Sequence, residues 1–316
     1  MTETLLRRAL ALDPEQLTLA GRGFPQAAPG VRDRLEEVVH SFVLGYNDGL
    51  ARSSGPLDLS GVVPEFRGFA YEGAGMSRCL LDVLSLSGGR RLHELLEERG
   101  AGYIHLITVG AGWAYARLRL PVWKLIRPWH PLLGWLAWDG WGFHQAFFRP
   151  EAVFGRQWIE RAARGSVRAI RDQGAGRALW FYGAAEPERI AETIAGFVPE
   201  RRADLWAGIG LAACYTGALP AEGVDHLAAL GASYREDLAQ GAAFAAKAHH
   251  LSGIEPPGSA IAVERLTGAD LATAAAWTDR AFEQVVSLPS SPAAYEAWRA
   301  QIRRAWAEAH QAKETT

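Results

Sequence analysis

Pro64-Glu-Phe-Arg-Gly-Phe-Ala-Tyr-Glu-Gly-Ala-Gly-Met-Ser-Arg-Cys79 aligns without a gap on Pro199-Glu-Arg-Arg-Ala-Asp-Leu-Trp-Ala-Gly-Ile-Gly-Leu-Ala-Ala-Cys214. Gly73-x-Gly75 falls on Gly208-x-Gly210, Tyr71 on Trp206, Met76 on Leu211 and Cys79 on Cys214. Upstream, Asn47-Asp48-Gly49-x-x-Arg52 matches Asp172-Gln173-Gly174-x-x-Arg177. Downstream, Gly110-Ala-Gly-Trp-Ala114 matches Gly241-Ala-Ala-Phe-Ala245. Three blocks in the same order predict two divergent copies of one unit, related by a pseudo-twofold axis with a natural pocket at the seam. The expected division is an N-terminal segment over 1–20, repeat 1 over 21–152, repeat 2 over 153–289 and a C-terminal helix and tail over 290–316.

Working outward, the apolar residues between Val31 and Arg52 recur at helical spacing and predict an amphipathic helix. Pro150–Arg171, Pro187–Phe197, Tyr234–His250, Ala269–Val286 and Ala293–His310 read as helices from their Ala, Glu, Arg and Leu content. Tyr103–Val109, rich in β-branched residues, is the one candidate for a short strand. The fold class is therefore mostly α. Ala101–Ala116 and Leu205–Ala221 carry no charge, but both fall short of the roughly 18 residues a membrane span requires. They read as buried helices, so no integral membrane association is expected. The recurring Gly-x-Gly pairs, at Gly21, Gly73, Gly110, Gly174 and Gly208, lack the preceding strand and third glycine of a dinucleotide loop. Small residues at that spacing instead let helices approach closely.

The 316 residues, 49% apolar and 22% charged, make an ordinary globular composition. A formal net charge of -2 gives no electrostatic reason to expect nucleic acid as a partner. Two cysteines cannot build a disulfide framework and suit a reducing, cytoplasmic setting. No Gly-Lys-Ser/Thr triplet, Gly-x-Ser-x-Gly elbow or Cys-x-x-Cys pair occurs, and His93-Glu94 lacks the second histidine of a zinc-protease helix. The paired aspartates that bind magnesium and diphosphate in terpene synthases are missing too. No metal and no cofactor is expected.

Chemistry then rests on polar residues set among apolar or glycine-rich neighbours, since burying them unpaired is costly. Glu72, Asp139, His144 and Asp172 are the candidate acids and bases. His144 ranks first because imidazole ordinarily titrates near neutral pH, and Glu72 second because its aligned partner is Ala207. Arg67, Arg177, Arg202 and Asp204 are expected to form structural ion pairs. Twelve tryptophans are the compositional outlier, six of them (Trp113, Trp123, Trp129, Trp135, Trp138, Trp141) in one stretch. Trp113, Trp138, Trp141, Phe143, Tyr71, Trp180 and Trp206 are the candidates to line a pocket for a flat or extended apolar ligand, with core packing as the plainer alternative.

Arg67–Met76, Asp139–His144, Asp172–Phe181, Arg202–Trp206 and Leu238–Phe244 together resemble the UnbL-type proteins, an uncharacterised bacterial family often encoded in enediyne antibiotic gene clusters. The resemblance spans about Gly21 to Phe282 and transfers no catalytic residue. It implies a protein that binds or converts a linear conjugated polyene, by acid/base isomerisation or cyclisation if it is an enzyme. The implied partners are that apolar polyene and other enzymes of the cluster; a homo-oligomer stays open from the sequence. A non-catalytic scaffold, or a cyclase of a terpenoid-like hydrocarbon, would suit the same residues.

Overall fold

The computed structural model describes residues 3–97, 99–120 and 130–314, and among these it is all helix and turn. Trp123 and Trp129 lie outside the described residues. In chain order the helices are α1 (Glu3–Leu10), α2 (Pro29–Ala51), α3 (Arg67–Ser85), α4 (Arg90–Glu97), α5 (Ile104–Leu118), α6 (Leu136–Phe148) and α7 (Ser166–Tyr182). They continue as α8 (Pro187–Ala195), α9 (Pro199–Thr216), α10 (Ala221–Leu230), α11 (Arg235–Ser252), α12 (Pro257–Thr267), α13 (Leu271–Val285) and α14 (Pro292–Glu314). None of them is long and apolar enough to cross a membrane.

The Gly-x-Gly pairs determine how these helices pack. At 3.6 residues per turn, residues i and i+2 point about 200° apart, so each pair opens two nearly opposite faces of its helix. The first glycine admits the preceding helix of the row and the second admits the following one. Gly73 of α3 lies against α2 near Gly45, and Gly75 lies against α5 near Gly110. The arrangement repeats between α5 and α6 (Gly112 and Gly140), α6 and α7 (Gly142 and Gly174), α7 and α9 (Gly176 and Gly208), and α9 and α11 (Gly210 and Gly241). At each of these crossings an added methyl group would overlap a backbone carbonyl of the facing helix. The packing reading of Gly73, Gly110, Gly174 and Gly208 therefore holds, whereas Gly21 sits in a turn outside the helices.

The row α2–α3–α5–α6–α7–α9–α11 forms the scaffold, with α13 and α14 packed on α11. One continuous hydrophobic core runs through both halves of the chain. Residues matched by the alignment diverge in their tasks. Asn47 exchanges hydrogen bonds with the backbone of Leu12, whereas Asp172 holds an arginine; Arg52 is exposed, whereas Arg177 is buried.

Two expectations are corrected. Tyr103–Val109 is not a strand: α5 begins at Ile104, and the Thr108 hydroxyl donates back to the Ile104 carbonyl at 2.7 Å within the helix. Its β-branched residues follow from burial on every side rather than from sheet pairing. Pro150–Arg171 is not one helix. A wide turn over Glu151–Gly155 is followed by irregular chain, and α7 starts only at Ser166. Tertiary bonds hold that stretch open: the Gln157 carbonyl accepts from Arg201 at 2.8 Å, and the Gln157 amide group bonds Gly196 and Val198.

Candidate functional site

On α6, Leu136, Asp139, Phe143 and Phe147 follow the i, i+3, i+4 spacing of a single face, and on α7 Gln173, Arg177 and Phe181 do the same. These faces meet Glu72 of α3. Asp139 accepts from Arg177 Nη1 at 2.6 Å and from Gln173 Nε2 at 2.7 Å, and Glu72 Oε1 lies 3.5 Å from Arg177 Nη2. All three ionic groups are buried. The polar chain continues across the core. Gln240 donates to Gln173 at 3.5 Å, Arg299 Nε donates to Gln240 at 2.9 Å, and Arg299 Nη1 reaches Asp204 at 2.9 Å and Glu296 at 2.6 Å. A network linked in this way keeps its buried charges matched.

Glu72 stands out within it. Burial pushes its carboxyl up from an ordinary value near 4.5 to about 7; Arg177 opposes that shift and Asp139 adds to it. A carboxyl raised on folding takes up protons as the chain folds, so its contribution to stability falls as pH rises from about 4.5 to about 7. Glu72→Gln removes that loss. Its denaturation midpoint relative to the unsubstituted protein is expected to improve between pH 5 and pH 8; a difference that stays constant or reverses would contradict the assignment.

Three voids adjoin this cluster. An aromatic pocket, lined by Leu17, Phe42, Phe69, Glu72, Trp113, Phe143, Arg177 and Phe181 among others, leaves about 40 Å³ free. Across Arg177 lies a second apolar pocket of about 30 Å³, bordered by His105, Leu136, Asp139, Tyr215, Phe244 and Trp298. The third is a cleft of about 480 Å³ that shares Leu17, Phe42 and Trp113 with the aromatic cavity and reaches His144, Phe148, Arg22, Arg117 and Arg149.

His144 departs from the near-neutral titration expected of it. Burial, and then the charges of Arg117, Arg149 and Arg22, depress its pKa to about 3, so it is neutral at pH 7. Its ring meets Trp113 edge-on with centroids 5.8 Å apart.

Glu72 and Asp139 are thus brought together, His144 sits in the cleft, and Asp172 is elsewhere. Asp172 is held by Arg201 through Nε at 2.9 Å and Nη2 at 2.5 Å. Of the expected ion-pairing arginines, Arg177 alone binds carboxylates among the described residues. Arg202 donates to the carbonyls of Phe197 and Ala195, Arg67 pairs with no carboxylate among the described residues, and Asp204 is taken by Arg299. Arg201 and Arg299 were not among the sequence candidates.

Of the aromatic candidates, Trp113 and Phe143 line the aromatic cavity, stacked with centroids 4.7 Å apart. Trp138 and Trp141 cluster with Arg171, which pairs with Glu160, and the Trp141 indole donates to Glu160 at 3.0 Å. Tyr71 stacks on Tyr103, Trp206 on Tyr234, and Trp180 donates to the Thr216 hydroxyl at 3.1 Å. Those five pack the core away from the three voids. Phe147, within the tryptophan-rich segment, also faces the aromatic cavity, as do Phe42, Phe69 and Phe181, which lie outside that segment.

Among the described residues no group of three or more His, Cys, Asp or Glu side chains converges to hold a metal ion. Neither a curated protein nor a solved structure matches the chain. The family model described as "Protein of unknown function (DUF1702)" matches residues 1–306, and the chain belongs to that family.

Proposed function

We propose that the chain binds an extended, apolar, conjugated molecule, the linear polyene intermediate of enediyne antibiotic biosynthesis, and isomerises it by proton transfer. The observation that carries this reading is the succession of voids: the cleft shares a wall with the aromatic cavity, and that cavity shares Arg177 with the one beyond it. The two smaller spaces, about 30 and 40 Å³, are far too small for an extended ligand as they stand. A ligand therefore enters by displacing phenyl rings such as Phe143 and Phe181, an exchange of one π contact for another.

Glu72 is the proton-transfer group. With a pKa of about 7 it exists as acid and as carboxylate near neutral pH, the condition for giving a proton to one polyene carbon and removing another from a neighbour. The Arg177 guanidinium, 3.5 Å away, supports the carboxylate form between the two transfers. His144, neutral at the cleft, is a base of low strength that orients rather than protonates.

A two-copy origin belongs to the same reading. It is supported by Gly73 and Gly208 facing the preceding helix of the row, and by Gly75 and Gly210 facing the following one. A cytoplasmic setting suits Cys79 and Cys214, which are free and buried.

The test is a time course of ultraviolet–visible spectra with purified protein and the linear polyene. Loss of the conjugated bands faster than in the protein-free control, and no faster than that control in Glu72→Gln, is the expected result. A prompt band shift that then stays constant would favour a non-catalytic carrier, the second reading. That reading draws on the engagement of Glu72 with Arg177 in a network that also serves to match buried charge. Spectra unchanged by the protein would contradict both.

A further inference from the structure

The 480 Å³ cleft combines an apolar inner wall with an unusual charge balance at its mouth. Arg22, Arg117 and Arg149 border it, against a single carboxylate, Asp13. That carboxylate is already engaged, accepting from the Glu15 backbone N–H at 3.1 Å and from the Gln16 amide at 3.3 Å. Among the described residues none of the three guanidinium groups pairs with a carboxylate. Arg22 donates to the carbonyls of Phe147 and Phe148 at 3.1 and 3.3 Å, and Arg117 reaches the Tyr46 hydroxyl at 3.4 Å. Arg22 Nε and His144 Nδ1 are buried with no hydrogen-bond partner in the described structure.

Three like charges bordering one cleft repel each other unless an anion joins them, and guanidinium forks match the planar oxygens of carboxylate and phosphate. A neutral imidazole still offers one N–H donor. At about 480 Å³ the space suits the head of a small-molecule ligand, and its inner wall of Leu17, Phe42 and Trp113 leads toward the aromatic cavity.

We infer that the cleft is a subsite for an acidic head group, a carboxylate or a phosphate, on an amphiphilic ligand whose apolar tail passes Trp113 into the core. The tail rests on the function proposed above; the head group stands on the cleft alone. Arg117 and Arg149 are exposed and close on the anion from the solvent side, while Arg22 and His144 form its inner limit.

The experiment is a fluorescence titration with parinaric acid, a conjugated tetraene acid, and with its methyl ester, followed by displacement with dodecanoate and with dodecyl phosphate. It is run on the unsubstituted protein and on the Arg117→Gln/Arg149→Gln variant, whose fold circular dichroism checks. The acid is expected to bind at least about tenfold more tightly than the ester, in line with charge-assisted hydrogen bonds. The double variant should lose that margin and keep its affinity for the ester. Stronger displacement by dodecyl phosphate identifies a phosphate head, and stronger displacement by dodecanoate a carboxylate. Equal affinity for acid and ester, or a margin that survives in the variant, would overturn the subsite and leave the apolar tail reading standing. If neither chromophore binds, the proposed function falls. Pyrophosphate then decides the subsite: a rise in Tm in the unsubstituted protein that the variant lacks upholds it, and no such rise overturns it.

Discussion

Gly174→Leu is expected to destabilise the protein by about 3 kcal/mol or more, a large share of an ordinary domain's stability. At Gly174 even a methyl group would overlap the Asp139 carbonyl of α6, and the obstacle is backbone that no rotamer change can move aside. Separating α6 from α7 would also pull Asp139 away from Arg177 and Gln173, so packing and charge matching are lost together. Gly30→Ala supplies the control. Nothing lies within 4 Å of a Cβ there, and alanine is the better helix former, so that variant should be as stable as the parent or slightly more so. Urea denaturation of the two variants checks the contrast. Equal midpoints would mean that close approach through glycine does not hold the row together.

Arg177→Met removes the guanidinium that, among the described residues, alone pairs with both Asp139 and Glu72, and leaves two carboxylates buried. Breaking a buried ion pair from one side costs about 3–5 kcal/mol. The loss should be largest above the pKa of Glu72, about 7, and smaller at pH 5, where Glu72 is protonated in the folded state. Denaturation midpoints at pH 5 and pH 8 read this directly. A variant equally destabilised at both pH values would show that Glu72 is not the group that titrates.

The helices were legible because their apolar stripes and alanine-rich composition are local properties, and the glycine pairs were legible as packing devices for the same reason. Gly140-x-Gly142 has the same spacing as Gly73-x-Gly75, but its aromatic neighbours Trp138, Trp141 and Phe143 mask that kinship in the sequence. Ion-pair partners were harder. Arg201 and Arg202 are adjacent in sequence but about 100° apart around α9, and only the facing helix decides that Arg201 meets Asp172 while Arg202 turns to backbone carbonyls. Of the partners of Arg299 only Glu296, three residues before it on the same helix, is a sequence neighbour, whereas Gln240 and Asp204 lie on two other helices. Tryptophan content marked a segment without showing direction. Trp138 and Trp141 face Arg171, whereas Phe143, on the same helix, faces the cavity. His144 departs from ordinary imidazole titration because burial, and then the charges of Arg117, Arg149 and Arg22, disfavour its protonated form.

A crystal structure of the protein soaked with the linear polyene tests the central claim most directly. The account predicts an elongated ligand running from the cleft at His144 past Trp113, with Phe143 and Phe181 displaced and Glu72 beside its chain. Polyene density on the outer surface, or an aromatic cavity unchanged while the ligand sits elsewhere, would contradict it.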